Sequence, residues 1–159
     1  MVQSLLRGTA VRVAGSLGLL LAACTTNRTT GVLGLQAGSY LMASANGQPV
    51  PAVIHTTTDP TTGHPMDILV VADTMVLGLG DSYEQHAWLE TRVDGNVVST
   101  SRWTDHGFFS VQGSALHFTS NVLQNVDFSG VARGFGGLTV TQNLAGEGTA
   151  VLYLFQLIS

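Results

Sequence analysis

The residues best suited to hold a small molecule lie on one predicted hairpin. His86, Trp88 and Glu90 alternate along its first arm, and Trp103 falls on the second arm. Alternate residues of a β-strand point to the same face. Facing inward, these side chains would line a small-ligand pocket, which is typically apolar with a few polar groups. Facing outward, the tryptophans would form a partner surface or cover charged neighbours. Alternation alone leaves both possibilities open.

Metal and cofactor chemistry has weak support in the sequence. No histidine pair has the H-x-H or H-x-x-x-H spacing that places two ligands on one side of an element. Gly134-x-Gly136-Gly137 falls short of a dinucleotide fingerprint and is better explained as a turn. We therefore expect no metal and no cofactor, and we interpret the histidines as scattered surface residues: His55, His64, His86, His106 and His117.

Gly80-Asp81-Ser82 resembles the nucleophile block of GDS-type lipases and esterases. That family has an α/β sandwich with helices and a late Asp-x-x-His motif. His117 follows the serine here, but no acid precedes it at the required spacing. Asp and Ser are also ordinary turn residues. We predict that the protein is not an enzyme, with an esterase-like hydrolase as the distant alternative.

The only cysteine, Cys24, ends a segment with the layout of a secretory signal peptide. Arg7 and Arg12 precede an apolar run over 13–23 that is too short to span a bilayer as a helix. Leu21-Ala22-Ala23-Cys24 resembles the lipobox of bacterial lipoproteins. The resemblance implies cleavage before Cys24, a diacylglycerol on its thiol, and an acyl chain such as palmitate on the new amino terminus.

The signal-peptide layout and the lipobox resemblance predict three segments along the chain. Residues 1–23 are the signal peptide, 24–37 hold the lipidated cysteine and a polar tether, and 38–159 form the β-barrel domain. Thr25 differs from the aspartate that retains many enterobacterial lipoproteins in the inner membrane. We therefore expect the protein on the outer membrane of a cell that has one, and otherwise on the outer face of the cytoplasmic membrane.

The expected mature chain of 136 residues fits one domain of ordinary size. It keeps four arginines, no lysine and all ten acids, a formal charge of −6. Nucleic acid is a poor candidate partner, because phosphate binding uses clustered Lys and Arg. With Cys24 carrying lipid no disulfide can form, so stability must come from packing.

Period-two alternation between turn residues runs through the expected mature chain and predicts strands only. Asn46-Gly47 and Asp94-Gly95 are strong tight-turn pairs. The apolar stretch 68–79 is predicted as two short strands that join near Asp73-Thr74, because an acid interrupts it. The last strand, 149–158, is apolar on both faces, which predicts that both faces are covered.

A two-residue turn at Asp94-Gly95 also predicts the register of the central hairpin. Arg92 would lie opposite Val97, and His86 opposite Trp103. The same face would then carry the following residues: Glu84, His86, Trp88, Glu90, Arg92 and Trp103.

Eight to ten short antiparallel strands without a crossover helix predict a small up-and-down β-barrel, since closure removes exposed edges. A two-sheet β-sandwich is the alternative. Gly38-Ser39-Tyr40 resembles the Gly-x-Trp opening of lipocalins, with Tyr in place of Trp and without the arginine of that family's closing strand. The resemblance implies a lipocalin-like barrel.

Two functional hypotheses follow for an anchored barrel. In the first, the protein is a non-enzymatic envelope module that binds a small apolar or amphipathic ligand, because barrels of about eight strands can hold one. In the second, the barrel is filled, and its outer surface docks a second copy or an envelope protein through residues such as Leu152 and Leu154.

Overall fold

The computed structural model describes residues 35–122, 124–146 and 148–158, which form an all-β protein. Cys24 and the expected signal peptide lie outside these residues. Within them, all the strand pairings are antiparallel. The strands are β1 Gly38–Ala45, β2 Gln48–Pro49, β3 Ala52–Thr58, β4 Pro65–Leu77, β5 Ser82–Val93, β6 Asn96–Gln112, β7 Ala115–Ser120, β8 Phe128–Arg133, β9 Gly137–Gln142 and β10 Val151–Ile158.

Eight of these strands close into a barrel. From β4 to β10 each strand pairs with the next, β10 pairs with β1, and the first half of β1 closes the ring on β4. The two extra strands lie outside the ring, where β2 pairs with β1 and β3 pairs with the first half of β4. The predicted small antiparallel barrel is confirmed, and the sandwich alternative is not the fold.

The tight turns behave as their sequences predict. Asn46 and Gly47 have φ of 47° and 78°, and Asp94 and Gly95 have φ of 49° and 78°. Two successive positive φ angles are characteristic of the type I′ turn, whose twist matches that of the strands it joins. Local chemistry therefore sets where these strands begin and end.

The prediction of two short strands over 68–79 is wrong. β4 is continuous, and it contains a β-bulge at which Val71 has no partner between the pairs of Val70 and Ala72. Asp73 lies inside the barrel, where it accepts a hydrogen bond from Gln85. Because this acid is accommodated by the interior, it does not end the strand.

The barrel has two different ends. The turn end carries the short connections around residues 78–81, 113–114 and 134–136, together with the start of β1. The loop end carries the longer segments 121–127 and 143–150. This arrangement follows from strands that run alternately up and down the ring.

Aromatic side chains fill much of the barrel interior. Phe118 stacks on Phe128 with ring centroids 4.5 Å apart, and Tyr83 packs edge-on against both rings. On β10, Tyr153 and Phe155 are fully buried, but Leu152 on the outer face is 47% exposed. The predicted covering of both faces of the last strand is therefore wrong: only the inner face is covered.

Candidate functional site: a cleft at the loop end of the barrel

A cleft of about 640 Å³ opens at the loop end, and we call it the end cleft. It exists because β7 and β8 are six residues long, whereas β5 and β6 continue past them toward the loop end. The loops that follow β7 and β9 face this extension. The lining includes the apolar side chains of Leu89, Trp103, Phe128 and Leu144, the amide of Gln142, and parts of segments 124–127 and 143–146.

Gln142 connects the end cleft to a buried hydrogen-bond chain. Its Oε1 accepts from Gln85 Nε2 at 3.2 Å, and the same Nε2 donates to Asp73 Oδ2 at 2.6 Å. β5 and β9, which carry the two glutamines, are separated by three strands in either direction around the ring. The Gln85–Gln142 contact therefore crosses the lumen next to the end cleft.

Asp73 is held as a neutral acid by its surroundings. Its side chain is 1% exposed, and burial raises its pKa to about 8. Hydrogen bonds from Gln85 and the Thr74 backbone favour the ionised form but offset burial only in part. At neutral pH the carboxyl group is mainly protonated and can donate a hydrogen bond.

Three fully buried polar atoms have no hydrogen-bond partner within the part of the chain that the structure describes: Asp73 Oδ1, Gln85 Oε1 and the Tyr153 hydroxyl. An unpaired buried acceptor costs roughly 1–3 kcal/mol. Burial raises the pKa of the Tyr153 hydroxyl.

A second buried network is well satisfied. Asp105 Oδ2 accepts from the Tyr83 hydroxyl at 2.8 Å, and Oδ1 accepts from Ser120 Oγ at 2.6 Å and from the His106 backbone at 2.9 Å. Burial and the adjacent carboxylate raise the pKa of Tyr83. These contacts join β5, β6 and β7.

The structure divides the predicted site residues between two places. Thr91 pairs with Ser99 and Arg92 with Val97, so Val98 is an unpaired bulge residue. This extra residue shifts the register by one and places Trp103 opposite Ala87 and not opposite His86. Because a one-residue shift reverses the face of every later side chain, the predicted single face is wrong.

His86, Trp88 and Glu90 lie on the outer wall, and Trp103 belongs to the inner face. Trp88 is 46% exposed, with the Arg102 guanidinium 6.0 Å from its ring centroid. His86 Nε2 lies 2.9 Å from Glu84 Oε1. Glu90 accepts from the neighbouring Arg92 at 2.7 Å.

An outer-wall hollow brings three of these residues together again. It has a volume of about 250 Å³, and His86, Trp88 and Trp103 contribute to its lining. Glu90 is not part of it. Of the four predicted residues, Trp103 alone also lines the end cleft.

The other candidate motifs do not converge. Ser82 pairs with Phe108 on β6, whereas His117 pairs with Ser110 and Ser129 on the far side of that strand. No three His, Cys, Asp or Glu residues are grouped to hold a metal ion in the described ranges. His64 instead lies 2.6 Å from Asp94. Absence of enzymatic activity and absence of a metal stay predictions.

Apart from Trp103, the residues of the end cleft and of the hydrogen-bond chain behind Gln142 were not among the predicted site residues. The signal was present, since Gln85 alternates with Tyr83, Ala87 and Leu89 on an otherwise apolar face. Gln142 interrupts the apolar alternation of β9 in the same way. A buried polar residue within an apolar face is informative, because it must find a hydrogen-bond partner.

Comparisons with known proteins found no matching family model, no matching curated protein and no matching solved structure. The described residues contain no helix that is long and apolar enough to cross a membrane.

Proposed function

We propose that this protein is a non-enzymatic envelope lipoprotein whose barrel binds a small apolar or amphipathic ligand in the end cleft. The cleft itself carries the proposal. Its volume of about 640 Å³ is within the range of small-molecule sites, and its lining combines aromatic and aliphatic side chains with several polar ones, including the amide of Gln142. The middle of the lumen is occupied by side chains, so the ligand would sit at the end of the barrel.

Ligand binding is tested on the full-length protein carrying Cys24→Ser. This substitution removes the thiol that would be acylated and leaves the barrel unchanged. Native mass spectrometry after mild purification is expected to show mass increments that solvent extraction removes. Amphiphiles added back are expected to change the emission of Trp103. A single unliganded mass, with no response to a panel of amphiphiles, would contradict the proposal.

The anchor is a separate part of the proposal and rests on the lipobox resemblance at Cys24. Metabolic labelling with palmitate is expected to label the wild-type chain and not Cys24→Ser, and the variant is expected to leave the membrane fraction. The chain enters β1 at the turn end, so the end cleft opens at the end of the barrel opposite this entry point. Equal labelling of both proteins would contradict lipidation.

A docking function is the second candidate, and the outer face of β10 favours it. Leu152 is 47% exposed and Ile158 is 50% exposed on this face. Either a second copy or an envelope protein would bury these side chains. A monomeric sedimentation profile of the full chain, with no crosslinked envelope partner, would count against docking and leave ligand binding as the function.

A further inference from the structure

The end cleft contains the side-chain amide of Gln142, whose orientation is set by a hydrogen bond from the barrel interior. Gln85 Nε2 donates to both Asp73 Oδ2 and Gln142 Oε1, at 2.6 Å and 3.2 Å. Gln142 Oε1 therefore already accepts a hydrogen bond from the buried residue Gln85. Gln142 Nε2 makes no hydrogen bond to any described residue, and it is not among the fully buried unpaired atoms. Since Gln142 lines the end cleft, Nε2 is the donor that this side chain can offer to a ligand.

The charges around the end cleft disfavour an anionic ligand. Arg102 and Asp127 are the charged members of its described lining. The Arg102 guanidinium lies over Trp88, 6.0 Å from the ring centroid, on the outer wall. The Asp127 carboxylate accepts from the Ser120 backbone at 3.0 Å. An ionised head group buried here would have a carboxylate nearby and no cation directed at it, which is unfavourable.

Resting on the proposed function, we infer that the end cleft selects neutral amphiphiles whose head group accepts a hydrogen bond from Gln142 Nε2. Esters, amides and alcohols have this chemistry, whereas ionised fatty acids do not. The apolar part of the molecule would contact Leu89, Trp103 and Phe128. The Gln142 donor is held in place through the hydrogen bond from Gln85, which also donates to Asp73.

The test compares two probes with the same acyl chain, monodecanoylglycerol and decanoate, at pH 7 and below their aggregation concentrations. The protein is the full chain with Cys24→Ser and Trp88→Phe, in which Trp103 is the remaining tryptophan. Titration of its fluorescence is expected to show at least tenfold tighter binding of the glyceride. Tighter or equal binding of decanoate would overturn the inference while leaving ligand binding in the cleft intact.

Gln142→Met tests the named donor, because it keeps the length of the side chain and removes the amide. One net hydrogen bond corresponds to a loss of about fivefold to tenfold in glyceride affinity. Gln156→Met, on the exposed outer face of β10, is the matched control and is expected to change nothing. An unchanged glyceride affinity in folded Gln142→Met would overturn the inference. If Gln142→Met does not fold, the ratio of the dissociation constants of the two probes in the parent protein decides the question.

If neither probe binds and Trp103 emission is unaffected, the inference is overturned together with ligand binding in the end cleft. This result differs from decanoate preference, in which both probes bind. The two failures are therefore distinguishable by the same titration.

Discussion

The replacement Asp73→Asn should change how the stability of the protein depends on pH. Asp73 is 1% exposed, Oδ2 accepts from Gln85, and Oδ1 has no partner within the described residues. Burial raises its pKa from 3.8 to about 8. The folded state therefore binds a proton more tightly than the unfolded state, and stability falls as pH rises between these two values.

The size of the effect follows from proton linkage. One extra proton held by the folded state gives a slope of about −1.4 kcal/mol per pH unit between about pH 4 and pH 8. Asparagine is neutral at every pH and removes this slope. At pH 7 the wild-type protein must take up a proton on Asp73 when it folds, and Asp73→Asn avoids this cost. The free energy of unfolding of Asp73→Asn is therefore higher by at most about 4 kcal/mol. Near pH 4 the gain should vanish.

Urea unfolding of both proteins at pH 5, 6, 7 and 8 measures the free energy of unfolding directly. Asp81→Asn is the matched control, because Asp81 is an exposed turn residue with φ of 62°, a conformation that asparagine tolerates. The control is expected to retain the wild-type slope. A wild-type protein whose stability is constant from pH 5 to pH 8, or an Asp73→Asn protein with the same slope, would refute a neutral buried Asp73.

Three further substitutions have expected effects on the free energy of unfolding. Gly107→Ala should destabilise the protein by about 3 kcal/mol or prevent folding, because the added Cβ would overlap the Thr119 carbonyl oxygen. A change below about 1 kcal/mol in urea unfolding would contradict this. Phe118→Ala should cost about 3–5 kcal/mol, because it removes a fully buried ring that stacks on Phe128; unfolding at the wild-type urea midpoint would exclude that packing. Trp88→Phe should change stability by less than about 1 kcal/mol, since the ring is on the outer wall. The emission that remains comes from Trp103, and acrylamide should quench it less than it quenches the wild-type emission. Stronger quenching in the variant would be inconsistent with an exposed Trp88.

The barrel as a fold class is predictable from sequence because its signals are local. Alternation of apolar and polar residues needs only the two-residue period of a strand. The turns at Asn46-Gly47 and Asp94-Gly95 need only residues that adopt positive φ. Antiparallel neighbours joined by such turns leave few topologies, and closure covers the edges of the resulting sheet.

The register of the long hairpin is not predictable in the same way. The bulge at Val98 inserts one residue, and its consequence is that Trp88 and Trp103 lie on opposite faces. Nothing in the alternation of β5 marks this insertion, which shows only in how β5 and β6 pair. A site assembled from strand alternation alone therefore joined side chains from both sides of the barrel wall.

The sequence by itself determined an all-β chain, the positions of its tight turns and an acidic composition that disfavours nucleic acid. It also contains the lipobox resemblance at Cys24. The tertiary structure decided which face is inside and where the candidate site lies. Gln85 and Gln142 are 57 residues apart and meet only because closure of the ring brings opposite strands across one lumen. Burial at that meeting point makes Asp73 neutral, which no local sequence pattern indicates.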